Sequence, residues 1–201
     1  ADALICGTVG HFRDHLRQVV DVIGLKKGVE TPAALNVILM DKETLFLCDT
    51  HVNPDPSVAQ ISEMTLMAAE KIRRFGITPK VALLSHSNFG THSNSSAEKM
   101  REAYRDLSAR VDNMEIDGEM HADAALDPEI RSTIMPNSTL CGRANLMIFP
   151  NVEAANISYN MLKIMGDAIT IGPLLLGVAQ PAHILTPSVT TRGLVNVTAL
   201  A

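Results

Sequence analysis

The feature that most constrains this chain is alternation: strand-like and helix-like runs follow one another with only short loops between them. Ala3–Cys6 is a brief apolar run closed by Gly7, and Phe12–Ile23 repeats apolar residues at Phe12, Leu16, Val19, Val20 and Ile23, the spacing of one helix face. Leu35–Met40 and Thr44–Cys48 are β-rich runs around Asp41-Lys42-Glu43, which predicts a hairpin. Ser57 opens the best-marked helix. Gln60 completes a capping box, Ile61, Met64, Leu66, Ala68 and Ile72 form the apolar face, and Gly76 follows the end. Val81–Leu84 and Leu146–Phe149 are continuous apolar runs, the signature of strands buried on both faces. Further helices are expected over about Ala97–Arg110, Ala122–Ser132, Ala154–Met165 and Val189–Ala201. Short strands are expected at Glu115–Asp117, at Ile169–Ile171 before a Gly172-Pro173 turn, and at His183–Leu185. This order predicts an α/β/α sandwich with a largely parallel sheet. In such sheets ligands sit beyond the carboxyl ends of the strands, so the loops after Leu84, Asp117 and Phe149 are the places to search.

Composition narrows the function. In 201 residues, 46% are apolar and 3% aromatic, and the formal net charge is −5. No apolar run approaches the ~20 residues of a membrane span, so no membrane partner is expected. The acidic balance argues against a protein that neutralises nucleic-acid phosphates, and the aromatics are too few for a base-stacking surface. Cys6, Cys48 and Cys141 are odd in number and far apart, which predicts reduced thiols and a cytoplasmic location. The chain lacks an initiator Met and begins and ends inside apolar runs, so it is expected to be part of something longer.

Several groups are candidates for chemistry. The loop Ser85–Ser96 combines hydroxyls, Gly90 and the start of a helix, a setting in which backbone N–H groups and the helix dipole hold anions. It is neither a P-loop nor a dinucleotide fingerprint, and the plain alternative is a βα loop with N-capping serines. Asp117-Gly118-Glu119-Met120-His121-Ala122-Asp123 gathers three carboxylates and an imidazole, enough for a hard cation or for acid–base work; the alternative is a solvated loop with Asp123 capping a helix. His11 and His15 lie one turn apart and could bind a metal. Arg17, on a helix soon after the first strand, can clamp a phosphate if it faces the crevice. Spacing alone leads no further than an α/β domain with an anion-binding crevice.

Whole segments then resemble the phosphate acetyl/butyryltransferase (phosphotransacetylase) family: Ala1–Gly7, Leu16-Arg17, Val52–Pro56, Pro79–Ser87, Ile116–Glu119 with Asp123–Ala125, Phe149–Asn151, Asn156-Ile157 and Ile171–Gly177. The resemblance implies a two-lobed fold, like that of isocitrate and isopropylmalate dehydrogenases, with the first lobe incomplete. Residues 1–28 would be a remnant of that lobe, 29–172 the second lobe, and 173–201 the return to the first. Active members of the family transfer an acyl group between coenzyme A and phosphate. A Ser-Arg-Gly motif and a nearby acidic residue orient the thiol and stabilise charge, and an Arg matching Arg17 binds phosphate. Here the motif falls on Thr186-Pro187-Ser188 and the acidic position on Gly193. Pro offers no donor and Gly no carboxylate. Thr191-Arg192-Gly193 resembles a displaced copy, but that register puts Thr198 at the acidic position.

His183–Ser188, Leu83–Gly90 and Glu119-Met120-His121 are most similar to the C-terminal domain of large NADP-dependent malic enzymes. That resemblance implies a regulatory domain binding acetyl-CoA, fused to a malic-enzyme portion that carries NADP and a divalent metal, with no cofactor of its own and no catalytic residue here. Its expected ligand residues are Arg17, Ser85, Ser87, Gly90, Asn156 and Thr186. Homo-oligomerisation is expected through the apolar faces of Ser57–Gly76 and the last helix. The alternative is a working phosphate acyltransferase.

Overall fold

A computed structural model describes residues 1–111 and 114–201. The large sheet has six strands in the order β5-β4-β6-β3-β2-β7. They are β2 (Ala33–Leu39), β3 (Thr44–Cys48), β4 (Lys80–Leu84), β5 (Glu115–Met120), β6 (Leu146–Ile148) and β7 (Ile169–Leu176). β3, β6, β4 and β5 are mutually parallel, while β2 runs antiparallel to both β3 and β7. A second sheet pairs β1 (Leu4–Gly7) with β8 (Ala182–Leu185) in parallel.

Because side chains alternate along a strand, each central strand feeds two cores. Val37, Phe46, Val81, Leu83 and Ile148 face one side, against Ile61, Met64, Ala68 and Ile72 of α2 (Val58–Arg74) and Met100 and Leu107 of α3 (Ser95–Arg110). Ile38, Leu45, Leu47, Ala82 and Met147 face the other. There they meet Ala124 and Ala125 of α4 (Ala122–Leu126) and Ala155 of α6 (Val152–Met165). α5 (Pro128–Ile134) follows α4 directly. A third cluster joins Val19 of α1 (Phe12–Val22) to Ala182 and Ile184 of β8. Val197 of α7 (Thr191–Leu200) buries against the α2 side. The fold is therefore the expected three-layer α/β/α sandwich with a largely parallel sheet.

The hairpin and the Ser57–Gln60 capping box form where the sequence places them: Gln60 N–H meets Ser57 Oγ at 3.3 Å, and Ser57 N–H meets Gln60 Oε1 at 2.9 Å. Four expectations need correction. β5 continues three residues past Asp117, through Gly118 and Glu119 to Met120. β7 runs through Gly172-Pro173, which interrupts its register with β2 without ending the strand. The expected helix Ala122–Ser132 is two helices, broken at Asp127, whose carboxylate caps α5. Finally, most of the apolar face of α2 lies in the core, where Ile61, Met64, Ala68 and Ile72 are buried, while Leu66 and Met67 are partly buried. The exposed apolar stripe is on α6, where Ile157, Met161, Ile164 and Met165 are 60%, 56%, 76% and 80% exposed. On α7, Leu194 and Val195 are also exposed.

Candidate functional site

The parallel strands send the carboxyl ends of β3, β6, β4 and β5 to one rim. The turn after β3 is organised by Asp49. Its buried carboxylate accepts from the backbone N–H groups of Ala34, His51, Val52 and Asn53 and from Asn53 Nδ2. Burial pushes its pKa up, against the pull of the four backbone donors. The turn presents His51, whose ring lies 5.1 Å from that of Phe12 on α1 and 6.5 Å from that of Tyr159 on α6. This contact brings α1, and with it the small sheet, against the rim. Burial lowers the His51 pKa to about 4, so the ring is neutral at pH 7; its Nδ1 lies 2.8 Å from Thr50 Oγ1.

The loop after β4 is fastened from below. Glu119 on β5 is fully buried, and Oε1 accepts from Ser87 Oγ at 2.7 Å and from Gly90 N–H at 2.8 Å. Arg101 on α3 reaches the same carboxylate from Nε and Nη2. Desolvation alone would raise the Glu119 pKa, but the bonds from Arg101, Ser87 and Gly90 outweigh it and hold the carboxylate ionised. Gly118 is required beside it: φ is 148° and a Cβ would meet the Leu83 Cβ and carbonyl at 2.8 Å.

Above this base the N-termini of two helices converge. α3 starts at Asn94, which caps Ala97 N–H at 2.9 Å, and α6 starts at Asn151, which caps Ala154 N–H at 2.9 Å. Between them lies a cavity of about 500 Å³ lined by Ser95, Ser96, Asn151 and Val152, with Lys99 and Asp55 at its side. Lys99 Nζ holds Asp55 at 2.5 Å and the Pro150 carbonyl at 2.9 Å. Glu153 also lines the cavity, so its side chains bring one ammonium, paired with Asp55, and two carboxylates, and the positive ends of the two helices are what an anion would meet there.

None of the expected ligand residues lines this cavity, and they are spread over several elements. Ser85 follows β4, and its Oγ accepts from Ser87 N–H at 3.1 Å. Ser87 and Gly90 are tied to Glu119, so their polar groups serve the loop itself. Asn156 on α6 donates to the Thr50 carbonyl at 3.2 Å, linking α6 to the turn after β3. Arg17 is on the exposed side of α1 and has no hydrogen bond or ion pair among the described residues. Thr186 follows β8, its Oγ1 3.1 Å from Ser188 Oγ. The small sheet carries it beside the loop after β1, because Thr8 N–H bonds the Leu185 carbonyl at 3.0 Å. Gly7 makes that approach possible: φ is 101°, and any side chain would strike the Leu185 carbonyl. Pro187 is exposed, and Gly193 is in the first turn of α7, its N–H capped by Thr190 Oγ1 at 3.0 Å. Arg192 and Thr198 are exposed on the same helix.

The carboxylate cluster resolves differently from either sequence reading. Asp117 and Glu119 are buried in β5, not in a solvated loop, and Asp117 is spent on Gly118 N–H, Ser138 Oγ and Thr139 N–H. Asp123 is exposed and bonds Ala124 N–H, with His121 at the N-cap position. His15 bonds the Val9 carbonyl through Nε2. No group of three or more His, Cys, Asp or Glu suited to a metal occurs among the described residues. No described helix is long and apolar enough to cross a membrane. Sequence reasoning missed Arg101, Asp49, His51 and Lys99. Arg101 and Lys99 act through partners distant in sequence, and His51 through rings on α1 and α6; Asp49, whose bonds are mostly within its own turn, carried a local hint beside Asn53-Pro54.

A mostly parallel sheet covered on both faces, with helix N-termini gathered at its strand ends, defines an α/β/α domain. The chain belongs to the phosphate acetyl/butyryl transferase family, whose sequence profile, described as "Phosphate acetyl/butaryl transferase", matches residues 1–201. An NADP-dependent malic enzyme of Salmonella typhimurium (strain LT2) is 50% identical over 202 residues, covering 100% of this chain and 27% of that protein. A phosphate acetyltransferase of Nitratidesulfovibrio vulgaris (strain Hildenborough) is 30% identical over 200 residues, covering 100% of this chain and 28% of that protein. A phosphotransacetylase from Streptococcus pyogenes superposes with a TM-score of 0.93 at 27% identity, over 100% of this chain and 61% of that one. The chain thus spans about a quarter of the curated relatives it matches.

Proposed function

We propose that this chain is the phosphotransacetylase-like domain of a longer NADP-dependent malic enzyme, and that it binds acetyl-CoA as an inhibitor of malate oxidation. The observation that carries the ligand is the cavity of about 500 Å³ on which the N-termini of α3 and α6 converge, beside the Lys99–Asp55 pair and Glu153. Coenzyme A is a polyanion, and orphan N–H groups at two helix starts match its phosphates. Arg17, exposed and unpaired among the described residues, is the further cation assigned to the ligand, with Thr186 at the end of β8. The malic-enzyme assignment is supported by the 50% identity to the Salmonella protein across the whole chain. In this reading NADP and the divalent metal belong to the other portion of the parent chain. The location is cytoplasmic, and the exposed α6 stripe meets a second copy.

The domain does not itself transfer acyl groups. Pro187 and Gly193 stand where the resemblance requires an Arg and a carboxylate, and neither can stabilise charge or accept a proton. The competing reading, a working phosphate acyltransferase, is favoured by the 30% identity to the Nitratidesulfovibrio protein. One experiment on the full-length protein separates the two: malate oxidation titrated with acetyl-CoA, beside an assay for CoA release from acetyl-CoA and phosphate. Inhibition without CoA release is expected. CoA release at the pace of an ordinary phosphotransacetylase sinks the regulatory reading, and indifference to millimolar acetyl-CoA sinks the sensor.

A further inference from the structure

Asn94 caps α3 with one side of its amide and holds an imidazole with the other. Its Oδ1 accepts the Ala97 N–H at 2.9 Å, and its Nδ2 lies 3.1 Å from His86 Nε2. The cap fixes which way the amide faces, because a backbone N–H can only donate. The group turned to His86 is therefore the NH2, also a donor. His86 Nε2 must accept, so the ring proton sits on Nδ1 and the contact requires a neutral ring.

The surrounding groups give a charged His86 nothing in exchange. In the same loop, the His92 ring lies 5.3 Å from that of His86, and its Nδ1 lies 3.2 Å from Thr91 Oγ1. From beyond β5, His121 Nε2 donates to the His86 carbonyl at 2.8 Å, and Asp123 Oδ1 is 4.0 Å from His121 Nδ1. From α3, Arg101 donates to the His92 carbonyl at 3.0 Å and pairs with Glu119 beneath the loop. Asp123 thus stands at His121, and Glu119 is occupied by Arg101. Protonation gives His121 a second donor directed at Asp123. It gives His86 a donor at Nε2 facing the Asn94 NH2, beside another imidazole and the positive end of α3.

We propose that His86 and Asn94 form a proton-sensitive latch on the first turn of α3. The neutral ring holds the capping amide in place, and protonation turns Nε2 from acceptor to donor and releases it. Ser95, Ser96 and Lys99 of the same helix start line the cavity shared with α6, so acid loosens one wall of that cavity. The latch is set by contacts within residues 86–97 and stands whether or not acetyl-CoA is the ligand.

The test is amide exchange of the full-length protein, read by mass spectrometry at about pH 7.5 and about pH 5.5 and corrected for the intrinsic rate at each; histidines change charge across this window. Peptides containing Ala97 and Glu98 are expected to lose protection by about threefold or more at the lower pH. The first turn of α6 is the internal reference, since Asn151 caps Ala154 in the same way with no imidazole bonded to it among the described residues, and its protection should not change. His86→Phe removes the titrating nitrogen and is expected to give equal protection of Ala97 at both pH values. Asn94→Asp keeps the cap and offers His86 a carboxylate oxygen, so there acid is expected to raise the protection. Equal protection of the native first turn at both pH values overturns the latch. So does a His86→Phe protein with the native pH dependence, or an Asn94→Asp protein that loosens in acid as the native one does.

Discussion

Arg101 donates to Glu119 twice, from Nε to Oε2 at 3.1 Å and from Nη2 to Oε1 at 3.0 Å, and the Glu119 side chain is only 1% exposed. The same carboxylate holds Ser87 Oγ and Gly90 N–H, so one buried charge joins α3, β5 and the loop after β4. The pair stabilises the fold because every donor around the carboxylate is used; an ion pair buried without such bonds would not repay its desolvation.

Glu119→Gln is therefore expected to release the loop Ser85–Ser96 while leaving the sheet intact. Losing the charge-assisted bonds costs about 1.5–3 kcal/mol. Thermal unfolding should show a lower midpoint, and amide exchange should quicken selectively at residues 85–96. Unchanged exchange in that loop would refute the fastening role. The depressed Glu119 pKa gives the same bond a pH signature. Its contribution is complete above the unfolded carboxyl pKa of about 4.3 and is lost as pH falls through the lower folded value.

Buried His183 and half-buried His51 set a second pH dependence in a higher window. His51 and His183 have folded pKa values lowered to about 4 from 6.5, chiefly by burial. Between those values the unfolded chain binds more protons, so acid favours unfolding. Stability from keeping both rings neutral is complete above pH 6.5 and declines towards pH 4. From pH 7 to 5 the loss is roughly 2 kcal/mol per residue. Urea unfolding at the two pH values measures it, and His51→Phe, which keeps a ring against Phe12, should lower the loss by about half. An identical loss in that variant would show that His51 does not titrate this way.

Gly7→Ala is expected to separate the small sheet at its carboxyl end. A Cβ there would strike the Leu185 carbonyl, and φ of 101° is hostile to any L side chain. Destabilisation of about 2 kcal/mol or more should appear in equilibrium unfolding, since neither strand can yield without breaking the Thr8–Leu185 bond. Gly28→Ala is a useful comparison: φ is 85° but nothing lies within 4 Å of the new Cβ, so only the backbone penalty remains.

What could be read from the sequence was local. The Ser57–Gln60 box and the uninterrupted Val81–Leu84 run fix their elements through neighbours three or fewer residues away. β5 was underestimated because Gly118 and Glu119 look like the end of a strand. They continue it only because Leu83 leaves no room for a side chain and Arg101, 18 residues back, neutralises the charge. Gly172-Pro173 misled for the same reason: the pair reads as a turn, while β2 on one side and the packing of α7 and β8 keep β7 straight through it. The candidate site divided along the same line. Loop serines and Arg17 were visible by type, whereas Lys99, whose partners Asp55 and Pro150 lie 44 and 51 residues away, was not.

That division gives the sharpest test of the ligand. If acetyl-CoA phosphates occupy the cavity between the N-termini of α3 and α6, Lys99 and Arg17 contribute separately, because no bond joins them among the described residues. Each lost charged partner should then weaken acetyl-CoA by about 1.5–3 kcal/mol, roughly ten- to a hundredfold, and the two losses should add. Lys99 also restrains Asp55, so Lys99→Met leaves a free carboxylate beside the phosphates; Asp55→Asn, which removes that acid, is expected to tighten binding slightly. Inhibition of the full-length protein by acetyl-CoA is the measurement, taken at one ionic strength for Arg17→Ala, Lys99→Met, the double variant and Asp55→Asn. An unshifted curve for Arg17→Ala removes Arg17 from the site, and an unshifted curve for Lys99→Met removes the cavity between the two helices.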